Sequence, residues 1–269
     1  MSQLLPYEIH RLIEELSSDN AAVRRSAAQA LGQVGEPALD AVPALIKALG
    51  EGHGPLRYRA AEALGRIGDP AAIPVLIEAL GDRYYRVRRR AAEALGRIGE
   101  PAKDVVPALI KALSDDNFDY DNWSGRHIDG IRHAVAEALG RIGEPAKDAV
   151  PALIQALGDE NVSVRYSAAS ALGQIGEPAV PALIQALGDE NESVRYRAAD
   201  ALGWIGEPAK DAVPALIQTL GDKNQTVRSR AAYALGRVGT PEASKAIEEY
   251  EKQKELHSEK VHKRQECCA

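Results

Sequence analysis

Residues 143–176 read GEPAKDAVPALIQALGDENVSVRYSAASALGQIG, and the fold follows from how this stretch is built. Between Asp148 and Leu157, the residues Val150, Leu153, Ile154 and Leu157 fall at i, i+3, i+4 and i+7, one apolar stripe of a helix. Between Ser163 and Ile175, the residues Val164, Ala168, Leu172 and Ile175 make a second stripe, whose small alanines let neighbouring helix axes approach closely. Asp148 precedes Pro151 by three residues, as Asp40, Asp104 and Asp211 precede Pro43, Pro107 and Pro214. These aspartates are expected to cap helix N-termini, with the proline in the first turn, where its missing N–H costs nothing. Ile-Gly-Glu-Pro then closes the unit, placing Gly176 where a left-handed C-terminal cap is wanted and Pro178 where the next helix begins.

Working outward, the same two-helix text recurs along the chain. The stripe of the first helix reappears as Ile9, Leu12, Ile13 and Leu16. Ala-Leu-Gly recurs with its glycine at Gly32, Gly65, Gly96, Gly140, Gly173, Gly203 and Gly236, at spacings of 33, 31, 44, 33, 30 and 33. A period in this range marks a stacked array, in which a unit cannot bury its apolar face alone and must cover its neighbours. The predicted fold is all-α, a right-handed α-solenoid of seven helix pairs with a C-terminal capping helix. The solenoid occupies residues 1–239, in units of about 1–35, 36–68, 69–99, 100–143, 144–176, 177–206 and 207–239, and the cap and charged tail occupy 240–269. The long spacing comes from an insertion at 118–128, which holds Trp123 and maps to a loop on one edge of the stack. Ala243, Ala246, Ile247 and Tyr250 give the cap its last apolar stripe, and beyond Tyr250 the helix is expected to fray.

The text of residues 143–176, repeated over 1–239, resembles the HEAT-like repeat of the phycobilisome lyase type. That resemblance implies an α-solenoid in which the second helix of each pair lines the concave side. It also implies a range of functions, from bilin lyases to protein-binding scaffolds, so the likeness speaks to fold more than to activity. The near-identity of units four to seven also resembles consensus-designed repeat proteins.

Bulk composition narrows the function classes. With 45% apolar but only 4% aromatic residues, one Phe and one Met, the interior must be built from Ala, Leu, Ile and Val. A net charge of −6 gives no overall attraction to nucleic acid or anionic membrane. Cys267 and Cys268 are adjacent at the C-terminus and can staple nothing within the fold, which points to a reducing, cytoplasmic setting. The first residues, MSQLLPYEIHRLIEEL, are amphipathic and acidic rather than basic-then-apolar, and no apolar run reaches membrane-spanning length.

Aligning the second helices of the seven units separates framework from variable positions. One column is always Arg: Arg24, Arg57, Arg88, Arg132, Arg165, Arg195 and Arg228. An acidic residue lies a few positions upstream in each unit, including Asp19, Asp82, Asp159, Asp189 and Asp222, and the expectation is a structural Asp–Arg ladder. The variable columns lie one, two, five and nine residues after that Arg and form one stripe along the helix. In units two to four it pairs Glu62 with Arg66, Glu93 with Arg97 and Glu137 with Arg141, leaving Arg59, Arg89 and Arg90 unpaired, a strip for the alternative of nucleic-acid binding. In units five to seven it carries Tyr166, Tyr196, Arg197, Asp200, Trp204, Arg230, Tyr233 and Arg237 without that pairing. Tyr, Trp and Arg are the residues most enriched in binding hot spots. These eight, with Trp123 as an edge contact, are the candidate partner-binding residues.

Chemistry is sparse. The acidic start of the insertion fails the calcium-loop pattern, because Tyr120 stands where glycine is required and Arg126 where the closing glutamate belongs. His257, His262, Cys267 and Cys268 match no zinc spacing. No nucleophile elbow, phosphate loop or paired His-Glu motif is present, so no catalytic residue, metal or cofactor is assigned. Tyr196, Asp200 and Trp204 share a face and could hold a cation, as in HEAT-like DNA glycosylases, a likeness of residue types and shape only. The resulting expectation is a non-enzymatic scaffold or adaptor that binds a protein or peptide on the second-helix face. Nucleic acid is disfavoured, no membrane partner is expected, and bilin lyase or tetrapyrrole handling stands as the enzymatic alternative.

Overall fold

The computed structural model describes residues 6–99, 102–114 and 131–266. All described elements are helical, in an α-solenoid arrangement of paired helices. The chain divides into two compact units, Met1–Ala171 and Leu172–Ala269. The first unit holds α1 (Pro6–Glu15), α2 (Ala21–Val34), α3 (Val42–Glu51), α4 (Gly54–Ile67), α5 (Ile73–Ala79), α6 (Tyr85–Ile98), α7 (Ala102–Leu113), α8 (Arg132–Ile142) and α9 (Val150–Ala156). The division falls within α10 (Val162–Ile175), and the second unit continues with α11 (Val180–Ala186), α12 (Glu192–Ile205), α13 (Val213–Thr219), α14 (Gln225–Val238) and α15 (Pro241–Glu266). Trp123, the insertion and the two cysteines lie outside the described residues.

Stacking runs through the second helices of the pairs: α2 packs on α4, α4 on α6 and α6 on α8 in the first unit, and α12 on α14 in the second. The apolar stripes read from the sequence are buried, with Leu31, Leu64, Leu95, Leu139 and Leu202 fully enclosed among alanines. In the first unit the glycine at the end of Ala-Leu-Gly lets these helices touch backbone to backbone at Gly32, Gly65 and Gly96. A methyl group built on Gly65 would sit 2.6 Å from Ala94 Cα, and one on Gly96 would sit 2.6 Å from Ala138 Cα.

The junctions differ from the sequence expectation in two ways. Gly176 does have the positive φ expected, at 81°, but its ψ is −141°, not that of a left-handed helical cap. Before Glu-Pro, Gly35, Gly143 and Gly206 take the same shape, which only glycine reaches. Left-handed helical caps occur at Gly68 and Gly239, before Asp-Pro and Thr-Pro. Nor do Asp40, Asp148 and Asp211 cap the first helices. They lie inside short 3₁₀ turns (Glu36–Ala41, Glu144–Ala149 and Glu207–Ala212) that run straight into α3, α9 and α13, whose capping residues Ala41, Ala149 and Ala212 make no side-chain bond. The turn carbonyls already take the helix N–H groups: Val42 donates to Leu39 and Val150 to Lys147.

Where a side chain caps a second helix it is an asparagine, and α4, α6 and α8 have no such cap. The side-chain oxygen of Asn20 accepts from Ala22 N–H at 2.9 Å, that of Asn191 from Ser193 at 2.9 Å and that of Asn224 from Thr226 at 2.8 Å. At the C-terminus α15 packs on α13 and α14 and buries Ala243. It remains helical to Glu266 instead of fraying after Tyr250, in line with the strong helix propensity of Glu, Lys and Gln. None of the described helices is long and apolar enough to cross a membrane.

Candidate functional site

The Arg column and the upstream aspartates do form a ladder, and its rungs run forward from one layer to the next. Arg195 on α12 places Nε 2.7 Å and Nη2 3.1 Å from the two Asp222 oxygens in the turn before α14. Arg57 meets Asp82 at 2.7 and 3.1 Å in the same way, and Arg132 meets Asp159 at 2.9 Å. The remaining Arg195 nitrogen, Nη1, donates to the carbonyls of Asp189 and Glu190 in its own turn, each at 2.9 Å. Asp222 also accepts the Asn224 N–H at 2.7 Å. The Arg195 hydrogen bond, opposed by partial burial and aided by Asn224, holds the Asp222 carboxyl below its ordinary range. In these three pairs the column is framework, pinning the turn of one layer to the second helix of the layer before it.

The variable stripe keeps two of the expected i,i+4 pairs, Glu62–Arg66 and, at 3.8 Å, Glu137–Arg141, and adds other arginines to its acids. Glu62 accepts from Arg59 at 2.9 Å and from Arg66 at 3.1 Å. Glu93 accepts from Arg89 at 2.9 Å and Arg90 at 2.6 Å, in place of Arg97. The three arginines expected to be unpaired, Arg59, Arg89 and Arg90, are therefore all engaged, because an i,i+3 partner or an arginine upstream of the acid reaches the carboxylate equally well. Arg90 also donates to the Tyr58 hydroxyl on α4 at 2.8 Å, and the Tyr58 ring lies under both Arg59 and Arg90 at about 5 Å. Burial pushes the Glu93 carboxyl up, but Arg90 and Arg89 more than offset it and hold it low. Gln29, Gln33, Arg59, Glu62 and Arg66 line one groove between α2 and α4, so stripe residues of successive helices share a surface in this unit.

The second unit repeats this device with its own residues. Asp200 on α12 accepts from Arg197 at 3.1 Å and pairs with Arg230 of α14 at 3.3 Å. Arg197 and Arg230 are therefore not the unpaired cations expected from the sequence; they converge on one carboxylate. That carboxylate is only 4% exposed, whereas Arg230 is 49% exposed. Burial raises the Asp200 carboxyl above its ordinary value, and Arg230 and Arg197 offset only part of that rise. A carboxylate so enclosed cannot serve as the open partner of a reactive cation, which removes the glycosylase-like arrangement of Tyr196, Asp200 and Trp204.

Aromatic side chains lie on the same two helices as this clamp. The Arg197 guanidinium lies 4.9 Å from the Tyr196 ring centre. Trp204 is 37% exposed and covers Gly173, where a built methyl would meet its Cβ at 3.1 Å. Tyr233, 46% exposed, lies over Gly203 with ring atoms 3.2 Å from a built methyl. Glycine in Ala-Leu-Gly thus becomes a seat for an aromatic ring supplied by the next helix. Arg237 is exposed at the end of the same stripe. Tyr166, 53% exposed, belongs to the first unit. Of the candidate residues, Tyr196, Arg197, Asp200 and Arg230 come together across α12 and α14, and Trp204 and Tyr233 lie on the same two helices.

The same chain text has known relatives. Residues 9–86, 74–120, 128–183, 150–210 and 180–255 match the family model of HEAT repeats. A solved structure, the complex of CpcE and CpcF of phycocyanin lyase from Nostoc sp. PCC7120, is 30% identical, with 94% of this chain and 96% of that chain covered at a TM-score of 0.54. An engineered protein of known structure is 25% identical, with 90% of this chain and 71% of that chain covered, also at a TM-score of 0.54. None of the curated proteins matches the chain.

Proposed function

The chain belongs to the HEAT-repeat family, and on that footing we propose that it is a non-enzymatic scaffold or adaptor that holds a protein or peptide segment against the second-helix face. In this reading residues 1–239 are the binding body and 240–269 its cap. Contact centres on Tyr196, Arg197, Trp204, Arg230, Tyr233 and Arg237, with Tyr166 and Trp123 as further contacts. The observation that carries the reading is the Asp200 clamp, with Tyr196 against it and the half-exposed Trp204 and Tyr233 on the same two helices: large side chains near guanidiniums whose geometry is fixed before any partner arrives. A pull-down with the whole chain, compared with Trp204→Ala and Tyr196→Ala, tests it. Loss of the same bound protein in both variants supports the assignment, and an unchanged set of bound proteins refutes it.

A second reading draws on the likeness to the phycocyanin lyase complex over nearly the whole of both chains. Here the chain works as one part of a lyase that handles a bilin. Mixing it with phycocyanin apoprotein and bilin, and following covalent chromophore attachment by absorbance, tests this reading. Absence of attachment with a helical partner subunit supplied would count against it.

A further inference from the structure

The groove between α2 and α4 lacks an acceptor that two other second-helix seams supply for themselves. At the α4–α6 seam, Arg90 reaches back to the Tyr58 hydroxyl of the preceding helix at 2.8 Å. At the α12–α14 seam, Arg230 reaches back to Asp200 at 3.3 Å. These arginines stand two residues after Arg88 and Arg228 of the framework column, and Asp200 stands five after Arg195. At the α2–α4 seam the corresponding arginine is Arg59, and Gln29 holds the place of Asp200. Arg59 turns instead to Glu62 of its own helix, at 2.9 Å.

What remains is a groove of about 250 Å³, its open mouth included, with an apolar floor and polar walls. Ala28, Gly32 and Ala63 make the floor, where the two helices touch. Gln29 and Gln33, one helical turn apart, make the α2 wall, and neither carboxamide takes a partner among the described residues. Arg59, Glu62 and Arg66 make the α4 wall. Both Glu62 oxygens are taken, one by Arg59 and the other by Arg66 at 3.1 Å. The Glu62 side chain is 12% exposed, against 30% for Arg59 and 42% for Arg66, so the acid sits behind its two bases. Each guanidinium spends one of its five N–H groups on Glu62 and keeps the others. The lining is rich in donors and carries a net charge of +1, since Glu62 cancels one of the two arginines.

Donors, charge and size select the occupant. A surplus of N–H groups calls for a ligand that accepts, and a planar carboxylate matches the guanidinium fork. One net positive charge balances a monoanion, whereas a phosphate monoester brings about −1.5 to −2. Pockets for cofactors and drug-sized ligands run from about 300 to 1,000 Å³, so this groove takes a single side chain. We propose that the α2–α4 groove is a carboxylate site that seats one glutamate side chain of a bound polypeptide. Its methylenes lie on Gly32 and Ala63, and its carboxylate accepts from Arg59, Arg66 and the Gln29 and Gln33 carboxamides. The incoming acid thereby takes the part that Asp200 plays toward Arg230. The site lies wholly within the first unit and is separate from the Asp200 clamp, so either can fail without the other.

The test uses the whole protein, isotope-labelled for NMR, and two small probes with blocked ends, N-acetyl-glutamate N-methylamide and its glutamine counterpart. Only the side chain differs between them. The signals followed at low salt are the Gln29 and Gln33 carboxamides and the Arg59 and Arg66 Nε–H groups. The glutamate probe should shift these signals with a dissociation constant on the order of millimolar, as suits so few atoms, and bind at least about tenfold more tightly than the glutamine probe. Arg66→Gln leaves Glu62 with Arg59 and should weaken the glutamate probe by about tenfold without changing the glutamine probe. Arg237→Gln, which removes an exposed charge from the second unit, should change neither. Equal affinity of the two probes, or as great a loss from Arg237→Gln as from Arg66→Gln, would overturn the site. Tighter binding of inorganic phosphate at the same signals would overturn it in favour of a general anion seat. Tighter binding of N-acetyl-glutamine with a free α-carboxylate would overturn it in favour of a chain end. Signals that no probe moves would overturn it outright. None of these outcomes alters the pull-down on which the scaffold reading depends.

Discussion

Replacing glycine by alanine at two equivalent positions of the repeat should change stability in opposite directions. Gly65 and Gly236 occupy the same place in Ala-Leu-Gly. A methyl on Gly65 would lie 2.6 Å from Ala94 Cα and 2.5 Å from its Cβ, whereas the nearest atom to a methyl on Gly236 is Ile247 Cδ1 at 3.8 Å. Ordinary carbon contacts need about 3.5–4.0 Å, so α4 and α6 must part by about 1 Å to accept the added methyl of a Gly65→Ala variant. A gap of 0.5–1 Å forfeits roughly a quarter to a half of each dispersion contact, and this interface is one of the two main packing faces of each helix. Against that, alanine is favoured over glycine in a helix by about 1 kcal/mol. The balance is a loss of about 2 kcal/mol for Gly65→Ala, within the usual range for overpacking, and a gain of about 0.5–1 kcal/mol for Gly236→Ala. Urea unfolding followed by far-ultraviolet circular dichroism measures both. Equal destabilisation by the two substitutions, or no effect at Gly65, would show that the close approach of α4 and α6 is not what the glycine column provides.

Two further perturbations probe the ladder and the clamp. Asp222→Ala strands the guanidinium of Arg195, which is 5% exposed; breaking such a pair from one side costs about 3 kcal/mol. Asp19→Ala, at a carboxylate that takes no arginine among the described residues, should stay within about 0.5 kcal/mol of wild type in the same urea experiment. Acid should remove the Asp222 contribution, because its carboxyl titrates lower in the folded state than in the unfolded chain, so stability present above about pH 4 is lost as pH falls. Asp200 has the opposite sign: its folded carboxyl titrates higher than in the unfolded chain, so its favourable term is full below about pH 4 and lost as pH rises. Asp200→Asn should therefore match or exceed wild-type stability at neutral pH and lose that advantage near pH 4, and a less stable variant at neutral pH would refute the assignment.

Legibility in the sequence tracks how local each determinant is. The helix pairs, the solenoid class and the positive-φ glycines follow from periodicity and from Ile-Gly-Glu-Pro, all set within a few residues. The ladder is visible as a column of Arg and a nearby acid, but its direction is not, since Arg195 takes only the backbone carbonyl of its own turn's Asp189 and reaches the Asp222 carboxylate of the next. Aspartate before proline satisfies a capping pattern and so points to the wrong caps, because the 3₁₀ turn already supplies the carbonyls. Asparagine just before the second helix, as in Asp189-Glu190-Asn191, is the signal that marks the caps that do form. The candidate residues on α12 and α14 share columns that the repeat alignment displays. Their pairing is not readable there, because Arg230 meets Asp200 from a different helix and burial, which no single helix text reveals, selects that partner.

The forward direction of the ladder bears on how the protein comes apart. Arg195 and Asp222 belong to different layers, so neither layer owns a complete rung, and part of the folding free energy resides at the seam between them. In a linear array, heavy seams and light modules mean that opening begins where a seam is already missing and spreads inward. A module cut out and expressed alone would inherit cations with nothing opposite them. Several neighbouring modules should accordingly melt as one block, and the chain should resist shear along its length better than any isolated pair of helices resists heat.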